Sequence, residues 1–554
     1  MNFQMNSVIS SVMSIRQWVS KSANLPKIKV RPELLAVVLS LYFTFFCNDE
    51  LWSRLLKSQA GNMGLFFWTV CGIVVFLQVA TITLLMWGKS SRYVAVFLVG
   101  CTVFASYFSR HYGVQFDASM MQNVFATNVP EANELLTVSA GWHALKLGLL
   151  PIIGLLFFEI QETSFRKEFY FKAGVALICL ALAVMLIFSQ FKNFSSTMRN
   201  HKDIRYQILP ISVLVSSVTA LAGNTKNQIM ERKEIDPGAS RKPASGRKPK
   251  TVVVVVGETV RAANWGLSGY ARQTTPELSG LPVINFPYVT TCGTNTETSV
   301  PCMFSPYGRN QFDEDKIRST ESVLHLLHRL NVEVTWIENQ SGCKGVCADL
   351  KTIEAKALGD QSFCKDTANC LDEVLVQGLM KTLGKGEKDQ LIVLHQLGSH
   401  GPAYYERYPK EFEKFKPACR SSDLGNCKNS EIVNAYDNSI GYTDHVLSRM
   451  IHELEGVKDR DTFFIYLSDH GESLGENNLY LHGIPYVIAP LFQTRAPMFF
   501  WHSDHFPVNH ACLSNKAKKP AHHDNLYHSL LGLFEVTSRT YVRSYDLLAG
   551  CHAG

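Results

Sequence analysis

Residues 468–482 read Ser-Asp-His-Gly-Glu-Ser-Leu-Gly-Glu-Asn-Asn-Leu-Tyr-Leu-His and follow directly on the apolar run Phe463-Phe464-Ile465-Tyr466-Leu467. Such a run reads as a buried strand. Its end delivers a carboxylate, Asp469, and an imidazole, His470, to one point, which is how a zinc site begins. A lone Asp-His pair is weak evidence, since Asp469 could equally cap a turn. The pattern recurs, however. Residues 252–256 are five valines followed by Gly257 and Glu258, and the apolar residues 391–394 run into His395-Gln396-Leu397-Gly398-Ser399-His400-Gly401-Pro402. Open α/β sheets carry their sites beyond the carboxyl ends of their strands. Three strands ending in potential ligands therefore predict such a sheet. Glu258, Asp469 and His470 would give a zinc ion three protein ligands and leave one position open, the arrangement of a catalytic site.

A chain of 554 residues exceeds what one core serves, and its two halves differ in character. Five apolar stretches, at about 33–48, 64–87, 93–109, 144–160 and 170–190, approach the roughly 20 residues needed to span a bilayer. Arg16, Lys21, Lys27, Lys29 and Arg31 precede the first stretch, and Lys89, Arg92, Arg166 and Lys167 lie in short connectors. Cytoplasmic segments collect such charges. The amino terminus is therefore expected inside, and everything after about residue 190 outside the cytoplasm. The expected organisation is a transmembrane domain over 1–190 with an external loop at about 110–143, a helical and basic linker over 191–250, and a catalytic domain over 251–554. The Lys/Arg/Pro-rich part of the linker, residues 224–250, reads as a solvated tether. A net charge of +6 without a nucleic-acid module excludes nucleic acid as a partner.

The cysteines agree with that topology. Cys292 and Cys302, Cys343 and Cys347, Cys364 and Cys370, and Cys419 and Cys427 form close pairs at irregular spacings in the polar half. This suits disulfides in an oxidising compartment better than a zinc ribbon. Cys512 and Cys551 are candidates for a fifth pair.

A nucleophile is needed at the open zinc position. Residues 290–302, Thr-Thr-Cys-Gly-Thr-Asn-Thr-Glu-Thr-Ser-Val-Pro-Cys, offer five threonines and one serine inside a loop with a cysteine near each end. Metal coordination would activate such a hydroxyl for attack on phosphorus. The loop alone does not choose among the six.

Several long motifs occur in fixed order: Glu258-Thr-Val-Arg261, Asn264-Trp-Gly-Leu-Ser-Gly-Tyr270, Cys292-Gly-Thr-Asn-Thr296, Ser299-Val-Pro-Cys-Met-Phe-Ser305, His395 to Tyr404 and Ser468 to Asn477. Together they resemble the lipid A phosphoethanolamine transferases, which include the mobile colistin-resistance enzymes. The resemblance covers both halves of the chain. It implies a five-helix membrane domain followed by an α/β periplasmic domain of the alkaline phosphatase and sulfatase type, anchored in a bacterial inner membrane. It also implies Thr296 as nucleophile and Glu258, Thr296, Asp469 and His470 as ligands of one Zn²⁺. His400 and His482 match positions that bind a second zinc or the substrate phosphate, and Lys344 matches a substrate contact. Asn123, Thr127 and Glu131 recur every four residues, as on one face of a helix, and match positions that hold the ethanolamine headgroup. Gln311 and Gln340 stand where some relatives carry other residues and are not assigned. The implied reaction takes phosphoethanolamine from phosphatidylethanolamine to a phosphate of lipid A through a phospho-threonine, in a monomer. A relative acting on core sugars, a membrane-bound phosphatase or sulfatase, and a non-catalytic scaffold are the rivals. The Thr296 loop lacks the Cys/Ser-x-Pro-x-Arg context of sulfatases.

Overall fold

The five valines form the middle of the central strand of a seven-stranded sheet. The computed structural model describes residues 28–551 except 59–63, 128, 162–163, 192–193, 195–196, 199–201, 230–231, 243–245, 359, 366–368, 385 and 423. Arg16, Lys21, Lys27 and residues 230–231 and 243–245 of the basic segment therefore lie outside the described residues. The chain divides into two units, residues 1–117 with 138–216 and residues 118–137 with 217–554.

Among the described residues of the first unit, four helices are long and apolar enough to cross a membrane: Leu65–Leu85, Gly88–Tyr112, Val138–Leu155 and Phe165–Ser189. The first apolar stretch is built differently. Pro32–Cys47 bends by 58° into Asp49–Lys57, so the count reaches five only if that bent pair is one span. Two sets of buried polar groups inside this unit are paired, as an apolar surround favours. The Gln78 and Asn48 amides both donate to the Leu209 carbonyl at 2.8 Å, and buried Lys172 lies 3.2 Å from Glu168.

The second unit holds the sheet. Its strands are β1 (Lys250–Gly257), β2 (Ile284–Phe286), β3 (Glu333–Glu338), β4 (Lys351–Glu354), β5 (Gln390–His395), β6 (Asp461–Ser468) and β7 (Met498–His502), in the spatial order β2-β7-β6-β1-β5-β3-β4. β6, β1, β5, β3 and β4 are mutually parallel, β7 pairs antiparallel to β6, and the edge strand β2 pairs antiparallel to β7. Every residue of β1, β5 and β6 is buried, as continuous apolar strands covered on both faces should be. On one face Val252, Val254 and Val256 pack in a core with Leu324 and Leu327 of helix Val323–Arg329 and with Leu530 and Leu531 of helix Asp524–Leu533. On the alternate positions Tyr466 stacks on Trp265, with ring centroids 5.6 Å apart.

The described part of the basic segment does not behave as a free tether. Ser240–Arg241 pairs with Val536–Thr537. Arg241 and Arg247 converge on Asp389, a fully buried carboxylate, the latter at 3.0 Å to Oδ1. A buried carboxylate requires such counter-charge, which draws the arginines out of solvent.

Candidate active site

Register sets the site. Gly257 of β1 faces Ser468 of β6, and Val256 faces His395 of β5, so the three carboxyl ends are flush. The next residues, Glu258 and Asp469, are therefore neighbours. The Asp469 amide donates to the Gly257 carbonyl at 2.9 Å, and Asp469 Oδ1 accepts from the amides of Thr259 at 3.0 Å and His470 at 2.8 Å. Thr259 adopts φ +62° to turn its amide this way. Gly398 lies against the same turn, where a side-chain carbon would come within 2.6 Å of the Glu258 carbonyl, so only glycine fits.

Glu258, Asp469 and His470 are wholly buried, and one ligand atom from each lies within 4.8 Å of the others. His470 Nε2 is 3.5 Å from Glu258 Oε1 and 3.3 Å from Asp469 Oδ2. Its Nδ1 lies 2.9 Å from the Gly471 carbonyl. That contact selects the Nδ1–H tautomer and leaves the Nε2 lone pair facing the carboxylates. Asp469 Oδ2 has no hydrogen-bond partner among the described residues. Burial, reinforced by the Glu258 carboxylate, pushes Asp469 up to about 8, and burial holds His470 well below its ordinary value. Two clustered carboxylates, an orphaned oxygen and a neutral imidazole form a donor set that a divalent cation would complete, and mixed O/N donors suit zinc. A second cluster, Cys292, Cys302 and Asp524, offers no thiolates because its cysteines are bonded to each other.

Thr296 enters from the clamped loop. It is the first residue of the helix Thr296–Met303, capped by Asn295, whose side chain accepts from the Thr298 amide at 2.9 Å. Its Oγ1 lies 3.3 and 3.2 Å from the two Glu258 oxygens and 3.4 Å from His470 Nε2. Disulfides join Cys292–Cys302, Cys343–Cys347, Cys364–Cys370, Cys419–Cys427 and Cys512–Cys551.

The remaining sequence candidates fall around this centre. The His482 ring is 4.3 Å from that of His470 and 5.8 Å from that of His400. His482 Nδ1 is held 3.3 Å from Glu472, which also accepts from Tyr404 at 3.0 Å. His400 Nε2 meets Glu131 at 3.3 Å. Burial opposes both charges of this pair, yet Glu131 raises His400 to about 9 and His400 lowers Glu131 to about 2. Lys344 Nζ donates to the Ser341 carbonyl at 3.0 Å and hydroxyl at 2.7 Å.

The headgroup candidates do not share one helix. Asn123 lies on Ala118–Ala126 and Glu131 on Val129–Leu135, with Thr127 after the first helix, where its hydroxyl donates to the Asn123 carbonyl at 2.9 Å. Pro130 is favoured at a helix start and disfavoured within one, so a new helix begins there. A cavity lined in part by Glu131, Glu134, Glu338, Glu354, Gln340 and His400 opens beside this segment.

Sequence reasoning left Gln340 unassigned, yet its Nε2 donates to Glu258 Oε2 at 3.2 Å. It also did not single out Asp372, which accepts from the amides of Leu397 and Gly398 at 2.9 Å each and so fixes the loop before His400. His395, at the end of β5, pairs instead with Glu338 at 3.1 Å.

Comparison with known proteins agrees with this architecture. Residues 250–536 match the sulfatase family model, and residues 74–225 match the model described as phosphoethanolamine transferase EptA/EptB. The chain is 34% identical to phosphoethanolamine transferase EptA of Escherichia coli K12, over 85% of this chain and 87% of that one. It is 34% identical to phosphatidylethanolamine transferase Mcr-1 of Escherichia coli, over 92% and 96%. Among solved structures, the integral membrane lipooligosaccharide phosphoethanolamine transferase A of Neisseria meningitidis superposes with a TM-score of 0.89 at 33% identity, covering 95% of this chain and all of that one.

Proposed function

Since the chain belongs to the phosphoethanolamine transferases, we propose that it moves phosphoethanolamine from phosphatidylethanolamine to a phosphate of lipid A through Thr296. The observation that carries this reading is the Thr296 hydroxyl 3.2–3.4 Å from Glu258 and His470 in a buried, cation-ready cluster. Zinc held by Glu258, Thr296, Asp469 and His470 would supply Lewis acidity, stabilising the alkoxide form of Thr296.

The chain's own residues divide the remaining work. Asn295 and the Cys292–Cys302 bridge fix the hydroxyl in place. The Thr296 oxygen bonds to phosphorus, the bond to the glycerol oxygen breaks, and diacylglycerol leaves with a proton. A lipid A phosphate oxygen then bonds to the same phosphorus, and the threonine oxygen is released. His400 and His482 are placed to offset charge on the phosphoryl oxygens, with Lys344 as a further cation. Glu131, with Asn123 and Thr127 nearby in sequence, serves the ammonium, and the carboxylates lining the adjoining cavity add to its attraction for a cation.

With lipid substrates, confinement to one surface replaces a search in solution. We propose further that the enzyme sits in the bacterial inner membrane as a monomer, with its catalytic domain in the periplasm over residues 251–554. Masking a lipid A phosphate lowers surface negative charge and gives resistance to cationic polymyxins.

The test is mass spectrometry of the peptide containing Thr296 after incubation with phosphatidylethanolamine alone. One phosphoethanolamine mass should be gained by the wild type and not by Thr296→Ala. An active Thr296→Ala enzyme overturns the mechanism, and an adduct on Thr294 or Thr298 corrects the residue.

A further inference from the structure

The loop that carries Lys344 borders a second cavity in the same unit, apart from the acidic one. It encloses about 90 Å³ and is lined by three cations, Arg232, Arg318 and Lys344, and three hydroxyls, Ser305, Thr320 and Ser322. Glu321 is the carboxylate on its wall, and it is engaged by Arg329 and by the Ile235 amide, each at 3.0 Å.

The cations are not equally satisfied. Arg318 is bonded to Glu297 at 2.9 Å and Glu314 at 3.0 Å. Lys344, whose side chain is 7% exposed, has its nearest paired carboxylate, Glu297, only at 4.0 Å. Arg232 is half-buried and makes no ion pair among the described residues, with Asp349 and Glu321 acting on it only through space. The loop makes room for it. Gly345 adopts φ +88°, and a side-chain carbon there would come within 2.9 Å of an Arg232 guanidinium nitrogen. Ser322 donates to the Val346 carbonyl at 2.8 Å, whereas Ser305 Oγ only accepts, from the Tyr307 amide at 3.2 Å, and so keeps its proton for a ligand beside the Thr320 hydroxyl.

Two under-compensated cations beside two hydroxyls complement a dianion of phosphate size. A phosphate monoester carries about −1.5 to −2 at neutral pH. The phosphodiester of the donor carries a single charge beside its own ammonium and is the poorer match. The cavity also adjoins the reacting groups through its own walls. Arg318 holds Glu297, the residue after the nucleophile, and the loop of Lys344 begins at Gln340, which touches Glu258.

We propose that Arg232 and Lys344, with Ser305 and Thr320, form a phosphate-monoester site that holds a phosphate of the acceptor lipid. The acceptor half of this assignment rests on the transfer reading above. Arg232 belongs to the basic segment that the sequence suggests is a tether, and this gives it a specific task.

The experiment uses the full-length protein in detergent and follows the two half-reactions separately. Arg232→Gln should form the Thr296 adduct from phosphatidylethanolamine at the wild-type rate. Its KM for lipid A should rise about tenfold or more, the weight of one lost charge-assisted hydrogen bond, with kcat within about twofold. Removal of binding made equally in ground and transition states has that signature. Arg232→Lys should recover part of the loss, and Thr320→Val should show a smaller rise without altering charge. Inorganic phosphate should raise the thermal midpoint of the wild type and compete with lipid A, and should do neither in Arg232→Gln.

An unchanged KM for lipid A in Arg232→Gln and Thr320→Val overturns the proposal. Equal protection by phosphate in wild type and Arg232→Gln overturns it too. Lost phosphate protection with an unchanged KM assigns the cavity to free phosphate and overturns the lipid assignment. Absence of any adduct in the wild type strikes the transfer reading instead, and the phosphate arm still reports on the cavity.

Discussion

Asn295 determines how firmly the nucleophile is held. As N-cap of the helix that begins at Thr296, its side-chain oxygen accepts from the Thr298 amide at 2.9 Å, and its Nδ2 donates to Ser119 Oγ at 2.6 Å. Asn295→Ala removes both. Loss of an N-cap costs about 1 kcal/mol, and loss of one neutral side-chain hydrogen bond about another. The two sum to about 2 kcal/mol, a factor of about 30 in the local opening equilibrium. Asn295→Asp keeps the acceptor and loses the donor, so about half of the penalty, roughly fivefold, should remain. The Cys292–Cys302 bridge retains the ends of the segment, so the effect should be local rather than global. Hydrogen exchange of the peptide spanning 295–303 reads the opening directly. Protection should fall in the order wild type, Asp, Ala, and the rate of Thr296 adduct formation should fall in the same order, since misplacement by about 1 Å costs on the order of a hundredfold. Protection in Asn295→Ala within twofold of wild type would refute the capping argument. Lost protection with an unchanged adduct rate would refute the claim that the cap positions the nucleophile.

Asp469→Ala and His470→Ala should each lose zinc and activity while keeping the fold, as metal analysis with circular dichroism would establish; full zinc in either variant excludes the site. Denatured, unreduced protein should titrate only four thiols, Cys47, Cys71, Cys101 and Cys179, because the other ten cysteines are paired, and eight or more would contradict both the disulfides and the external placement of the second unit. The Glu131–His400 pair sets a pH window: His400 is raised from 6.5 to about 9, so its contribution is full below about 6.5 and lost as pH rises through 9, whereas Glu131 is lowered from 4.5 to about 2, so its contribution is full above about 4.5 and lost as pH falls through 2. Thermal midpoints of wild type and Glu131→Gln should therefore differ most between about pH 4.5 and 6.5 and converge above pH 9; a difference that does not change with pH would refute the pairing.

Roles that follow from a residue's chain neighbours can be read without the fold. A short, β-branched or aromatic apolar run reads as a buried strand and one of about 20 residues as a span, so β1, β5, β6 and four of the membrane helices were legible, as was the delivery of Glu258, Asp469 and His470 to strand ends. Thr296 was legible only through the long motifs that resemble a family, since its loop offers six hydroxyls of like chemistry. Pairings between residues far apart in the chain emerge only once the chain is folded. Strand register makes Glu258 a neighbour of Asp469, and the Thr259 amide bonds to Asp469 across 210 steps of sequence. The helix break before Pro130 takes Asn123 and Glu131 off a common face, and Glu131 then reaches His400. Gln340 enters the site by touching Glu258, and Arg241 and Arg247 leave solvent for Asp389. Periodicity reports which side of an element faces the core, but the partner of a buried polar group is set by whichever distant carboxylate or amide shares its enclosure. In that enclosure an unpaired group costs several kcal/mol, so folding fixes pairings that the local sequence does not encode.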